Sequence, residues 1–299
     1  MNMQGKIYKG IGGFYYVAAE NNKIIECKAR GKFRKEHIVP MIGDNVEIEV
    51  KNGKGYITEI FERKNRLIRP AVANIDLIVV VVATKDPDPA AFVTDKMLVN
   101  AEINGIDAVV CINKTDLAVC EELKNTYELA GYKTICVSAV KEDGLRELFD
   151  IISGKTAAFA GVSGVGKSTI LSHITGVDLQ TGKVSDKISR GKHTTRHVEL
   201  LELFDGLVAD TPGFSALTLN MNNIEIKDNF IDFDKYRSEC EFRDCTHIKE
   251  HNCAIKKHVA NGEILESRYE NYLKFIRGEE WNYHAHIYQV MIKKKQSKN

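Results

Sequence analysis

The sequence predicts a chain of several domains. A small all-β barrel comes first, then an α/β unit on a mostly parallel sheet, then a mainly helical segment with a metal-binding cluster. Three observations predict this order. Apolar and polar residues alternate in short runs over the first 70 residues, strand-like and helix-like stretches alternate from 71 to about 220, and three cysteines with histidines between them crowd into 240–253. The expected boundaries are therefore 1–70, 71–222 and 223–299. A chain of 299 residues with 43% hydrophobic residues is long and apolar enough to build such units around real cores.

The first unit reads as strands in "GGFYYVAA", "KIIECKARG", "DNVEIEVKN" and "GKGYITEIF", with hairpin turns at "ENNKI" (20–24) and "KNGKG" (51–55). Asn-Gly supplies the positive φ values that a tight hairpin needs. A five-stranded oligonucleotide-binding barrel fits the strand count, and an SH3-like barrel fits nearly as well. Lys and Arg outnumber Asp and Glu by fourteen to eight over 1–70, and are outnumbered fourteen to twenty over 71–224. In "ARGKFRKEH" (29–37) and "ERKNRLIRP" (62–70) cations interleave with Phe33 and apolar residues, a pattern suited to RNA backbone contact with base stacking.

In the second unit, strands are expected at "IDLIVVVVAT", "DAVVCINK", "KTICVSA", "TAAFAG" and "GLVADTP". Helices are expected at "AAFVTDKMLVNAEING", "DLAVCEELKNTYELAG", "EDGLRELFDIIS" and "KSTILSHITG". Near-continuous apolar strands between helices imply a parallel sheet covered on both faces. Cys27, Cys111, Cys120 and Cys136 are scattered and expected to be free thiols. In the third unit, residues 262–278 read as a helix with Ile264, Leu265, Tyr269, Tyr272, Leu273 and Ile276 on one face, and the "KKKQSKN" end is expected to fray. No apolar run approaches the ~18 residues of a membrane span, and no apolar stretch follows the first basic residues. A cytoplasmic chain without membrane contact is expected.

The second unit carries the chemistry. "GVSGVGKST" places Gly161, Val162, Ser163, Gly164, Val165, Gly166, Lys167, Ser168 and Thr169 after a strand and at the start of a helix, the context of a phosphate-binding loop. Glycines there let backbone N–H groups wrap phosphates, Lys167 reaches the β- and γ-phosphates, and Ser168 ligates Mg²⁺. "NKTD" supplies Asn113, Lys114 and Asp116 at the end of another strand. A carboxylate at Asp116 accepts both the N1–H and N2–H of guanine, a pattern adenine cannot match. Asn113 ties the loop, the Lys114 stem covers the base, and Ser138 and Ala139 offer backbone to the guanine O6. "DTPGF" contributes Asp210 toward Mg²⁺ and the Gly213 N–H toward the γ-phosphate. The segment 190–197, "RGKHTTRH", brings Thr194 and Thr195, one of which is expected to bind Mg²⁺ and the γ-phosphate. Phe214 stands where Ras-like enzymes carry a water-orienting Gln, so His193 is the internal candidate for orienting or activating water.

In chain order the guanine-reading motifs precede the phosphate loop, which inverts the usual arrangement and predicts a circular permutation. Closing nearby termini and opening the chain elsewhere needs only a short surface connection. "NKTD", "GVSGVGKS", "GKHTT", "DTPGF" and the cysteine cluster together resemble the ribosome small-subunit-dependent GTPase A family. The resemblance implies GTP hydrolysis to GDP stimulated by the small ribosomal subunit, contact with its rRNA, and action late in subunit maturation. It also raises His193 as a catalytic group. The alternative is a GTP-regulated binding module that recruits a protein partner. A monomer is expected.

The cluster reads Cys240-x4-Cys245-x-His247-x5-Cys253, three thiols and an imidazole suited to a closed structural Zn²⁺ site. From spacing alone His251 and His258 compete with His247. The family resemblance favours His247.

Overall fold

Period-two alternation folds as a closed barrel of five strands: β1 (Asn2–Ile11), β2 (Phe14–Ala19), β3 (Ile24–Ala29), β4 (Asn45–Lys51) and β5 (Lys54–Ile60). The computed structural model describes residues 2–19, 23–67, 71–176, 199–203, 206–210 and 223–279. β1 pairs with both β2 and β4, and β3 runs parallel to β5, which closes the Greek-key circuit of an oligonucleotide-binding barrel. The expected turn at 51–55 is present, with Asn52 at φ 51 and Gly53 at φ 73. The expected turn at 20–24 falls mostly outside the described residues.

Ile7, Val17, Cys27, Val46, Ile48 and Ile57 fill the barrel, and Phe33 joins them. This overturns the reading of Phe33 as a base-stacking side chain. The short helix α1 (Gly31–Lys35) turns Phe33 inward to 4% exposure while Lys32, Arg34 and Lys35 stay exposed. Burial of an aromatic ring against the barrel core outweighs its exposure on a basic loop.

A ribbon, β6 (Arg66–Leu67) and β7 (Val72–Ala73), leads into the second sheet. Its strands are β8 (Leu77–Ala83), β9 (Asp107–Asn113), β10 (Lys133–Cys136), β11 (Thr156–Ala160), β12 (Glu199–Leu203) and β13 (Gly206–Asp210). In space they run β10-β9-β8-β11-β13-β12, all parallel except β12. All seven residues of β8 are buried, which is why its sequence reads as one apolar run. Ile78, Val80 and Val82 face α2 (Ala91–Ile103) and α3 (Glu121–Leu129). Leu77, Val79 and Val81 face α4 (Leu145–Ile152) and α5 (Lys167–Thr175).

Several joints fasten the barrel to this sheet, among them the bond from Asn74 Nδ2 to the Gly43 carbonyl at 2.9 Å. β12 pairs with β1 at Glu199 and Lys9. Lys6 Nζ donates to Thr156 Oγ1 at 3.2 Å, while the Asp76 carboxylate accepts from the Thr156 N–H at 2.9 Å and from Lys64 Nζ at 3.2 Å.

Beyond the sheet lie α6 (Asn223–Asp228), two 3-10 turns, α7 (Ala254–Ala260) and α8 (Glu266–Ile276). Ile226, Phe230, Phe233, Tyr272 and Phe275 share a core with Phe92 and Val99 of α2, so this segment packs on the back of the sheet domain. α8 starts later than expected, with Leu265 at its cap and Ile264 buried ahead of it. Its inner face carries an unexpected cation. Arg268 is 1% exposed and pairs with Asp95 of α2 at 2.5 Å and with Asp232 at 2.5 and 3.0 Å. Asn271 Nδ2 donates to the other Asp95 oxygen at 2.6 Å, and the guanidinium lies 4.7 Å over the Phe230 ring.

Cys27 and Cys111 are buried free thiols, as expected. Cys120 and Cys136 instead form a disulfide between the start of α3 and the end of β10, with Cα atoms 6.6 Å apart. Among the described residues no helix is long and apolar enough to cross a membrane.

Candidate functional site

Parallel strands point their C-terminal ends to one edge, and the loops there build the site. β9 ends at Asn113, β10 leads to Ser138 and Ala139, β11 leads into the phosphate loop, and β13 ends at Asp210. Three of these loops meet at one side chain. Asn113, 2% exposed, donates from Nδ2 to the Val165 carbonyl at 2.8 Å and accepts the Ala139 N–H on Oδ1 at 3.1 Å. Both halves of a single amide thus fix the phosphate loop and the loop after β10 relative to the end of β9.

Asp116 accepts the Ser138 hydroxyl at 2.6 Å, and this hydrogen bond is the main cause holding its carboxyl below the usual range. An ionised, oriented carboxylate is what a pair of guanine N–H donors requires. Ser138 is 1% exposed, and its hydroxyl in turn accepts the Lys141 N–H at 3.2 Å. Lys114 adopts φ 65, and its ammonium donates to the Asp86 carbonyl.

In the phosphate loop, Gly161, Gly164 and Gly166 all have positive φ. At Gly166 the reason is also steric, since a Cβ would collide with the Asn113 amide. Lys167 Nζ donates to the Gly161 and Val162 carbonyls at 2.6 and 2.9 Å, which places the ammonium inside the curl of the loop. Ser168 and Thr169 open α5, with Ser168 exposed at its N-terminal end. The arrangement offers N–H groups, a cation and a helix N-terminus to a phosphate chain. Val162, Ser163 and Val165 complete the loop, and Val165 anchors it from the core at 1% exposure.

His193, Thr194, Thr195, Gly213 and Phe214 lie outside the described residues, and of Asp210 only the backbone at the end of β13 is described.

Sequence spacing gave no sign of the turn after β8. Thr84 donates its hydroxyl to the Lys114 carbonyl at 2.6 Å and its N–H to the Asn113 carbonyl at 3.0 Å. The signal available was "TKDPDP", a polar, proline-bearing run at the end of a wholly apolar strand.

The second cluster sits in the C-terminal segment. One ligand atom from each of Cys240, Cys245, His247 and Cys253 falls within 4.8 Å of the other three. His247 Nδ1 lies 3.4 Å from Cys253 Sγ and 3.7 Å from Cys240 Sγ. Tetrahedral zinc with ordinary Zn–S and Zn–N bonds sets that separation at about 3.5 Å, so the residues fit the ion. Burial, assisted by Lys227 and Arg237, lowers His247 to about 4 and keeps its ring a neutral ligand. His258 is committed elsewhere, bonded to Glu263 at 2.6 Å and Glu239 at 2.9 Å and stacked on Tyr236, while His251 is exposed. Structure therefore selects His247 among the three histidines.

The knuckle is held from outside. Burial opposes ionisation of Glu250, but hydrogen bonds from the Thr246 hydroxyl and from the Thr246, Glu250 and Ile248 N–H groups prevail and bring it down to about 2. The Lys249 N–H also donates to the carboxylate at 3.0 Å. Tyr269 and Tyr272 hydroxyls donate to the His247 and Thr246 carbonyls at 2.7 and 2.6 Å.

Fold and site together define a circularly permuted P-loop GTPase, with the strand that ends in the NKTD motif ahead of the phosphate loop in the chain and separated from the phosphate-loop strand in the sheet by β8 alone. Comparison with known proteins carries this further. The family described as RsgA GTPase matches residues 60–220, and the RsgA N-terminal domain matches 4–57. The chain belongs to the RsgA GTPase family and is a GTP-hydrolysing enzyme. It is 47% identical to the small ribosomal subunit biogenesis GTPase RsgA of Caldanaerobacter subterraneus subsp. tengcongensis, covering 92% of this chain and 95% of that one. Its identity to the protein of the same name from Alkaliphilus metalliredigens is 48%, covering 91% and 96%. Among solved structures it is similar to YloQ, a circularly permuted GTPase, with a TM-score of 0.79 and 36% identity, covering 95% of this chain and 98% of that one. YjeQ from Thermotoga maritima gives a TM-score of 0.78 at 36% identity, covering 93% and 98%.

Proposed function

We propose that this GTPase acts on the small ribosomal subunit during its maturation and that the subunit, with its rRNA, stimulates hydrolysis. The observation that carries this reading is the near full-length identity to relatives named for small-subunit biogenesis. The exposed cations of α1, Lys32, Arg34 and Lys35, together with the basic balance of residues 1–70, suit contact with an RNA backbone.

Within the site, Asn113, Lys114, Asp116, Ser138 and Ala139 receive the guanine. Residues 161–169 receive the phosphates. Mg²⁺ is held by Ser168, Asp210 and a threonine of the 190–197 segment, and His193 serves the attacking water. Cys240, Cys245, His247 and Cys253 hold one structural Zn²⁺, which leaves no position open for a substrate. The units are 1–70, 71–222 and 223–299, and the protein works as a cytoplasmic monomer.

GTP turnover measured with and without purified small subunits tests the reading. Stimulation that disappears in Lys167→Ala and Ser168→Ala supports it. Equal turnover with and without subunits overturns it.

A further inference from the structure

Lys114 is a strained residue inside the base-reading motif. Its φ of 65 lies in the left-handed region, which is unfavourable for a residue with a Cβ. Such a conformation persists only when its surroundings over-determine it. Two groups act directly on its carbonyl: the Leu117 N–H at 2.9 Å, from within the same loop, and the Thr84 hydroxyl at 2.6 Å, from the turn after β8. The same turn reaches further. The Thr84 N–H donates to the Asn113 carbonyl at 3.0 Å, and the Asp86 carbonyl accepts the Lys114 ammonium. Pro87 Cδ stands 3.5 Å from where a Cβ on Gly164 would lie. Residues 84–87 therefore bond to the base-reading loop and stand near Gly164 of the phosphate loop, where a side chain would meet Pro87.

We infer that Thr84 is a positioning residue for nucleotide recognition. Its hydroxyl holds Lys114 in the left-handed conformation, and so holds the turn that carries Asp116 at a fixed distance from the Ser138 loop. The inference rests on the assignment of Asn113–Asp116 as the guanine reader. The hydroxyl and N–H of Thr84 both bond to the Asn113–Lys114 backbone, so its contribution falls on binding and base selectivity, not on the hydrolytic step.

The test compares Thr84→Val, which keeps the shape and loses the hydroxyl, with Thr84→Ser, which keeps the hydroxyl. The expected result for Thr84→Val is GDP affinity weaker by about three- to tenfold, the range for one net hydrogen bond. KM for GTP rises in parallel while kcat at saturation stays near wild type, and preference for GDP over IDP narrows. Thr84→Ser restores affinity and selectivity. Wild-type affinity in Thr84→Val overturns the inference, as does a loss that Thr84→Ser does not repair. Asp116→Asn separates the two layers by exchanging an acceptor for a donor, which favours the 2-oxo group of xanthine nucleotides. If Asp116→Asn leaves base preference unchanged, the base-reading assignment fails and the role of Thr84 falls with it. If Asp116→Asn shifts preference while Thr84→Val binds as wild type, only the role of Thr84 is overturned.

Discussion

Replacing Arg268 with Met is the most exacting test of how the C-terminal segment is attached. The guanidinium is 1% exposed and is bonded to Asp95 and Asp232, side chains 1% and 4% exposed. Burial already pushes the Asp95 carboxyl up even with Arg268 present. Without the cation, two carboxyls face each other in an apolar core. At least one must take up a proton or remain as an unpaired charge. One pH unit is worth about 1.4 kcal/mol, so keeping one carboxyl protonated at pH 7 against its ordinary value of 3.8 costs about 4 kcal/mol. That agrees with the roughly 3–5 kcal/mol known for breaking buried ion pairs from one side.

The sign with pH follows directly. In Arg268→Met the folded-state pKa of the orphaned carboxyl lies above its unfolded value. Its contribution is intact below pH 3.8 and is lost as pH rises through the raised value, so the deficit against wild type grows from pH 5 to pH 7.5. Hydrogen exchange of the α8 amides reads this locally, and adding Asp95→Asn with Asp232→Asn should recover most of the loss. A deficit under about 1 kcal/mol, or one that does not change with pH, would refute the reasoning.

Three further outcomes are expected. Asn113→Ala removes both bonds that tie the phosphate loop and the Ala139 loop together, so GDP affinity should fall at least about tenfold with little change in circular dichroism; isothermal titration measures it. Gly166→Ala places a methyl against the Asn113 amide at φ 96, and should abolish nucleotide binding in filter-binding assays while the chain stays folded. His258 is raised above its ordinary 6.5, chiefly by the hydrogen bond to Glu239 with Glu263 adding to it. The stability it supplies is therefore full below pH 6.5 and fades as pH climbs through the raised value. The gap in melting temperature between wild type and His258→Gln should be wide at pH 6 and narrow at pH 9.

The features legible in the sequence are those set by local geometry. "LIVVVVA" announced a strand covered on both faces because no polar residue interrupts it, and "KNGKG" announced its hairpin because Asn-Gly accepts positive φ. The placement of the phosphate loop and "NKTD" at strand ends was legible because each follows a short apolar run that reads as a strand. Features decided by partners distant in the chain were not legible. Phe33 reads as a surface aromatic until the barrel closes around it. Arg268 breaks an apolar stripe for the sake of Asp95, a residue of another unit. The Cys120–Cys136 bond depends on where α3 begins relative to β10. Spacing could not choose among three histidines, whereas Glu239, Glu263 and Tyr236 remove His258 from the contest.

The position of β8 has a consequence for synthesis. Its two neighbours are β9, which follows after one helix, and β11, which begins at Thr156. About seventy residues therefore leave the ribosome between β8 and its second partner, roughly 4–14 seconds of elongation. During that interval β10, β9 and β8 can assemble as right-handed βαβ units, leaving a wholly apolar strand with one bare edge, a ready template for mispairing. Asn113 meanwhile has no Val165 carbonyl to hold. The half that carries Asn113–Asp116 is made first, and its Asn113 amide is tied to the phosphate loop only when β11 arrives to cover that edge. In this chain order, the joining of the phosphate loop to the NKTD loop and the protection of the wholly apolar strand are a single event.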